Sequence, residues 1–181
     1  YMKVHGVSEA DLAQIAVVEY GNARHNPCAQ MQKTQITLGQ ALAIEGINRY
    51  VVDGLPLKTY DCSQITDGYA ARLLATEEGL RKLGVPTADC VQIAGYGQAT
   101  EPLSRKNRNV LRPEGALSAM RQAYRMAGVT PADVNVAEVH DCFTVMGAIG
   151  TEVIGKAAYG EGARYWVEGK AAADGECGIN T

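Results

Sequence analysis

The stretch that decides the fold runs from Val134 to Ile154 and reads VNVAEVHDCFTVMGAIGTEVI. The valines that precede His140 indicate a short strand that leads directly into this histidine. From Phe143 onward, apolar residues recur at helical spacing, which indicates a helix. Two glycines inside that helix each lower its intrinsic stability by about 1 kcal/mol relative to alanine, so packing must hold it. The stretch therefore predicts a strand, a tight loop and a helix.

His140 and Cys142 lie at this junction and are the candidate catalytic residues. A spacing of two places both side chains on the same side of an extended backbone. Cys142 also precedes the predicted helix, whose N-terminal partial positive charge favours a thiolate. A histidine and a cysteine there suit an acid, a base or a hydrogen-bond donor to a developing oxyanion. Spacing does not choose among these roles, and packing without chemistry is the alternative interpretation.

Three further helices follow from capping residues and spacing. Ser8 and Asp11 have the form of a capping box, which predicts an amphipathic helix over residues 9–23 that ends before Asn26-Pro27. Thr76-Glu77-Glu78 predicts a short helix that stops at Gly84. Pro113 and Gly128 bracket the clearest helical pattern in the chain.

Two further segments predict strands. Residues 69–75 are short and apolar and favour a buried strand, with a helix as the alternative. Residues 91–94 also favour a strand, and Gly95-Tyr96-Gly97 after it leaves room for a close approach of another backbone. Strands alternating with helices through short turns predict an α/β layered fold, with helices covering the strands on both faces.

Composition excludes several classes of function. There are 17 Lys and Arg against 20 Asp and Glu, and the net charge of -3 offers no basic surface for a nucleic acid. Apolar stretches are far shorter than the roughly 20 residues of a membrane span. Five scattered cysteines without CxxC spacing favour a reducing cytoplasmic compartment. The first residue is Tyr1 and no signal peptide follows, so we expect the chain to be a piece of a longer protein.

The segment Glu138-Val139-His140-Asp141-Cys142-Phe143-Thr144 resembles the HDCF loop of thiolases of the sterol-carrier-protein type. Other stretches agree with that family in order, so the resemblance covers nearly the whole chain. They are Asp11-Leu12-Ala13, Asn26-Pro27, Asp61-Cys62, Asp67-Gly68, Ala70-Ala71 and the approach from Gly128 to Val139.

The resemblance implies an incomplete thiolase fold with α/β/α/β/α layers. Residues 1–84 would be the end of the N-terminal half with part of its loop region, and residues 85–181 most of the C-terminal half. In that family the HDCF histidine helps to bind the thioester oxygen, and the cysteine exchanges a proton with substrate carbon; these roles carry over to His140 and Cys142. The nucleophilic cysteine lies upstream of the matched part and the GHP histidine downstream, so we expect the chain alone to be inactive.

The function implied is acyl transfer between coenzyme A thioesters, either thiolysis of a 3-oxoacyl thioester or its reverse condensation. Acyl-CoA and coenzyme A are then substrates, and neither a bound cofactor nor a metal is expected. Thiolases generally form homodimers or homotetramers. The alternatives are a thiolase-like subunit that performs aldol cleavage or carbon acylation with a small partner protein, and a non-catalytic subunit.

Overall fold

The computed structural model describes the backbone of residues 1–181 and the side chains of all of them except Arg105. The α-helices are α1 (Met2–His5), α2 (Glu9–Ala23), α3 (Leu38–Leu42), α4 (Glu77–Leu83), α5 (Glu114–Ala127), α6 (Thr144–Val153) and α7 (Gly162–Val167). Two short strands, β1 (Val136–Ala137) and β2 (Gly178–Ile179), pair in parallel. Single 3-10 turns cover Thr59–Asp61, Thr87–Asp89, Arg105–Asn107 and Pro131–Asp133.

Helix α2 has the predicted bounds and is the central helix of the core. The Ser8 hydroxyl accepts a hydrogen bond from the backbone N–H of Asp11 at 3.2 Å, and the Asp11 carboxylate accepts one from the backbone N–H of Ser8 at 2.7 Å. This reciprocal capping satisfies two amides that the first helical turn leaves free. The apolar face behind it, including Leu12, Ile15 and Ala16, is buried. The predicted capping box and helix are confirmed.

Helices α6 and α7 pack on α2 around Trp166, which is fully buried. The Trp166 indole N–H donates to Thr151 Oγ1 at 2.9 Å, and that hydroxyl donates to the carbonyl of Gly147, also at 2.9 Å. A Cβ added at Gly150 would lie 2.9 Å from Cβ of Val139, so the glycine permits close contact with the approach to the loop. Tertiary packing therefore holds the glycine-containing helix, as predicted.

The approach to His140 is fixed by the C-terminal residues. Val136 pairs with Gly178 and Ala137 with Ile179. Beyond this short ladder, the Asn180 side chain accepts from the N–H of Val139 at 2.7 Å and donates to its carbonyl at 3.0 Å. Asn180 has φ +54°, a left-handed conformation that asparagine adopts more readily than most residues. The Asn180 side chain thus replaces a backbone partner for Val139 beyond the end of β2.

The two other predicted strands are not formed. Residues 69–75 and 91–94 have no assigned secondary structure. Their apolar side chains are exposed, including Tyr69, Leu73 and Val91. A strand gains stability only when neighbouring strands pair with its backbone and another layer covers one face. Within the described residues neither segment has such a partner, so the prediction of a buried strand over 69–75 and of a strand over 91–94 is wrong here.

Helix α5 begins and ends as predicted, and Gly128 closes it in the left-handed conformation. Residues 95–97 run against its backbone. A Cβ at Gly97 would lie 1.9 Å from the carbonyl oxygen of Ala119, and one at Gly95 would lie 2.3 Å from that of Ala123. No larger residue fits at these distances, which confirms the predicted close backbone approach.

Among the helices of the described residues, none has the length and apolar character needed to cross a membrane.

Candidate functional site

The loop His140-Asp141-Cys142-Phe143, called the HDCF loop below, connects the end of the parallel pair to α6. Helix α6 begins at Thr144, with Phe143 as its N-cap residue in an extended conformation. The predicted helix after the loop is therefore present, whereas the strand covers only Val136–Ala137 and does not lead directly into His140 as predicted. His140 is exposed and Cys142 is half-buried. Their catalytic roles and a thiolate at Cys142 remain predictions.

Residues 61–63 dock on the HDCF loop from a distant part of the chain. Cys62 forms an antiparallel bridge with Phe143. The backbone N–H of Ser63 donates to the carbonyl of Cys142 at 3.0 Å. Sequence reasoning matched Asp61-Cys62 to the family but did not foresee this contact. The family resemblance at Asp61-Cys62, which falls in the same order as the other matched segments, was the sequence signal that could have indicated this contact.

An ion pair buried below this contact stabilises residues 58–61. The Lys58 ammonium and the Asp61 carboxylate are both fully buried, with Nζ 3.1 Å from Oδ2. The backbone N–H of Lys58 also donates to Oδ2 at 2.8 Å, and the Thr144 hydroxyl donates to Oδ1 at 3.3 Å. Asp61 therefore links the docked segment to the first residue of α6.

A cavity of about 150 Å³ that is partly open to solvent lies beside the loop. Asp141 lines it, whereas His140 and Cys142 do not. The lining also includes Glu19, Tyr20, Tyr60, Asp61, Cys62 and Gln64. The two candidate catalytic residues thus lie outside the lining of this cavity, with His140 exposed and Cys142 half-buried.

Neighbouring acidic groups affect the ionisation of Glu19 and Cys62 at this cavity. Burial, followed by the charge of Asp141 and a hydrogen bond to it, raises the pKa of Glu19 well above its ordinary value, and the charge of Asp61 adds to the effect. Burial and the neighbouring Asp61 and Cys142 raise the pKa of the Cys62 thiol. A nucleophilic cysteine needs an easily formed thiolate, so the environment of Cys62 opposes that role.

No cluster of three or more histidine, cysteine or acidic side chains suited to a metal ion occurs among the residues whose positions the structure describes.

Comparison with known proteins extends over the whole chain. A family profile described as "Thiolase C-terminal domain-like" matches residues 97–181. Acetyl-CoA acetyltransferase of Methanothermobacter thermautotrophicus is 32% identical over 181 residues, which cover 99% of this chain and 45% of the relative. Sterol carrier protein 2 of Oryctolagus cuniculus is 28% identical over 166 residues, covering 90% of this chain and 29% of the relative.

A solved structure described as an Ltp2-ChsH2(DUF35) aldolase superposes with a TM-score of 0.81 at 23% identity, covering 99% of this chain and 46% of that one. This similarity supports the fold and carries no argument about activity. The chain spans less than half the length of the relatives that it matches. The sheet of two short strands is accordingly a small part of a layered α/β fold. The profile match over residues 97–181, the relatives and the fold together show that this chain is similar to proteins of the thiolase superfamily.

Proposed function

We propose that this chain contributes His140 and Cys142 to the active site of an acyltransferase that acts on coenzyme A thioesters. The observation that carries the proposal is the HDCF loop, which lies accessible at the N-terminus of α6 in a chain similar to proteins of the thiolase superfamily. A relative that aligns with 99% of the chain is named acetyl-CoA acetyltransferase. Acyl-CoA and coenzyme A are the proposed substrates, and the reaction is thiolysis of a 3-oxoacyl thioester or the reverse condensation.

The chemistry proposed for the two residues follows from their family resemblance and position. Condensation requires removal of a proton from the carbon next to a thioester carbonyl, and a thiolate at Cys142 is the proposed base. The negative charge that develops on the thioester oxygen needs a hydrogen-bond donor, which is the proposed role of His140, directly or through a water. The acyl group itself is carried by a nucleophilic cysteine elsewhere in the whole protein.

The test is Cys142→Ala in the full-length gene product, with Cys90→Ala as a matched control at an exposed cysteine. We expect Cys142→Ala to lower formation and cleavage of the carbon–carbon bond by roughly 10²- to 10⁴-fold, as for loss of a general base. The acyl-enzyme, detected by mass spectrometry after incubation with acetyl-CoA, should still form. Normal turnover by Cys142→Ala would refute the assigned role.

The same assay separates the alternatives. If the protein cleaves an aldol-type acyl-CoA adduct and forms no acyl-enzyme, its function is that of the aldolase alternative and not thiolysis. A wild-type protein that neither forms an acyl-enzyme nor cleaves such an adduct would indicate a non-catalytic subunit.

Organisation and location belong to the same proposal. We take residues 1–84 as the end of the N-terminal thiolase half and residues 85–181 as most of the C-terminal half; the profile match from residue 97 supports the second assignment. A homodimer or homotetramer, with or without a small partner subunit, is proposed from family resemblance, and light scattering of the full-length gene product tests it. The five free cysteines support a reducing compartment such as the cytoplasm.

A further inference from the structure

Three carboxyl groups line the cavity beside the HDCF loop and are called the carboxylate cluster: Glu19 of α2, Asp61 of the docked segment and Asp141 of the loop itself. Glu19 and Asp141 are neighbours in the lining of this cavity. Ionised carboxylates only accept hydrogen bonds, so two of them can be bonded to each other only when a proton lies between them. A hydrogen bond between Glu19 and Asp141 would therefore require one of the pair to be protonated.

Glu19 is half-buried, and one of its two carboxyl oxygens is removed from water. Its Oε1 is buried and has no hydrogen-bond donor among the described residues. A Cβ added at Gly147 would lie 3.1 Å from this oxygen, 3.5 Å from the Trp166 ring and 3.7 Å from Ile15 Cγ2. Gly147 thus leaves space for the carboxyl group between apolar side chains. A buried charge without a partner is costly, which favours the neutral acid.

The charged groups around Glu19 do not neutralise it. Asp141 from the loop and Asp61 from the docked segment both repel a negative charge on Glu19. The buried cation of this region, Lys58, pairs with Asp61 at 3.1 Å and with Glu9 at 3.5 Å. The remaining titratable groups that line the same cavity are Tyr20, Tyr60 and Cys62, which carry no positive charge. Burial and these acidic neighbours accordingly raise the pKa of Glu19.

We propose that Glu19 is a positioning residue, whose carboxyl group shares one proton with Asp141 and thereby fixes the orientation of the HDCF loop. Asp141 lies between His140 and Cys142 in the chain, so a bond that holds Asp141 at the cavity would restrict the positions of both neighbours. The effect on catalysis rests on the proposed function, whereas the shared proton is a property of the fold.

The first test compares turnover of Glu19→Gln and Glu19→Ala in the full-length gene product. The amide of Glu19→Gln donates a hydrogen bond to Asp141 without needing a proton, so we expect kcat within about threefold of wild type. It should also remove any fall in kcat at alkaline pH that comes from ionisation of Glu19. Glu19→Ala should lower kcat by roughly 10- to 100-fold through misorientation, with KM little changed. Glu45→Gln removes the same charge from an exposed position and should have no effect.

A second readout does not depend on activity. Infrared spectroscopy of the full-length gene product should show the stretching band of a protonated carboxyl group at neutral pH, and Glu19→Gln should remove it. The pH dependence of the free energy of unfolding is a third readout. The folded state keeps a proton that the unfolded chain releases above its ordinary pKa of 4.5, so the free energy of unfolding falls as pH rises toward the higher folded-state pKa of Glu19. Glu19→Gln should flatten that fall.

The outcomes are distinct from those that test the proposed function. If the wild type transfers no acyl group, the proposed function fails, and the infrared band still decides the shared proton. Absence of that band in the wild type, or its persistence in Glu19→Gln, would overturn the inference. If the protein is active and Glu19→Gln lowers kcat as much as Glu19→Ala does, the inference about Glu19 is also overturned.

Discussion

Replacing Lys58 by methionine removes the cation of the buried ion pair next to the HDCF loop, together with its second contact to Glu9 at 3.5 Å. Methionine keeps most of the apolar stem of lysine, so the change removes the charge and little volume. The Asp61 side chain, which is fully buried, would lose the cation 3.1 Å from its Oδ2.

The size of the loss in free energy of unfolding depends on the hydrogen bonds that Asp61 retains in Lys58→Met. Removing one partner of a buried pair generally costs about 3–5 kcal/mol, because a charge is left without compensation. Asp61 would retain the backbone N–H of Lys58 at 2.8 Å and the Thr144 hydroxyl at 3.3 Å. Because these donors still stabilise the carboxylate, we expect Lys58→Met to lower the free energy of unfolding by about 3 kcal/mol, the lower end of that range. Adding Asp61→Asn removes the unpaired charge, so the double variant should lose less than the sum of the two single variants.

Urea denaturation of the chain, followed by the fluorescence of Trp166, measures these free energies, since the sequence contains one tryptophan and it is buried. The control is Lys82→Met, which breaks an ion pair of 2.8 Å to Glu78 on the surface of α4, with 74% and 64% of the two side chains exposed. We expect it to change stability by less than about 1 kcal/mol. A loss for Lys58→Met no larger than that of Lys82→Met would refute the reasoning.

Two other predictions concern the residues that position the loop and the packing of α5. Asn180→Ala removes both hydrogen bonds to Val139, so we expect the free energy of unfolding to fall by about 1–3 kcal/mol; an unchanged urea midpoint would mean that the backbone pairing suffices. Gly97→Ala would place a Cβ 1.9 Å from the Ala119 carbonyl oxygen and should cost about 1–3 kcal/mol or more. Gly68→Ala is the control, because a Cβ there meets no atom within 4 Å and should change the free energy of unfolding by less than about 0.5 kcal/mol. Equal losses for Gly97→Ala and Gly68→Ala would contradict the close packing at Gly97.

Local signals in the sequence determined the main helices and the junction that carries the HDCF loop. The capping box of Ser8 and Asp11 and the left-handed Gly128 act within a few residues, so they are legible without the rest of the fold. The same holds for the approach to His140 and for the helix after Phe143, where apolar spacing is a local property. The family resemblance also rests on contiguous residues.

Only the tertiary structure decided what surrounds that loop. Glu19 and Asp61 are distant in sequence from Asp141, and no periodicity predicts that they meet it at one cavity. The pairing of Cys62 with Phe143 and of Asn180 with Val139 likewise depends on contacts across the fold. The strands expected over 69–75 and 91–94 failed for the same reason, since a strand forms only where a partner backbone is in reach. The sequence by itself thus determined the helices and the HDCF loop, and long-range contacts decided the groups that hold this loop in position.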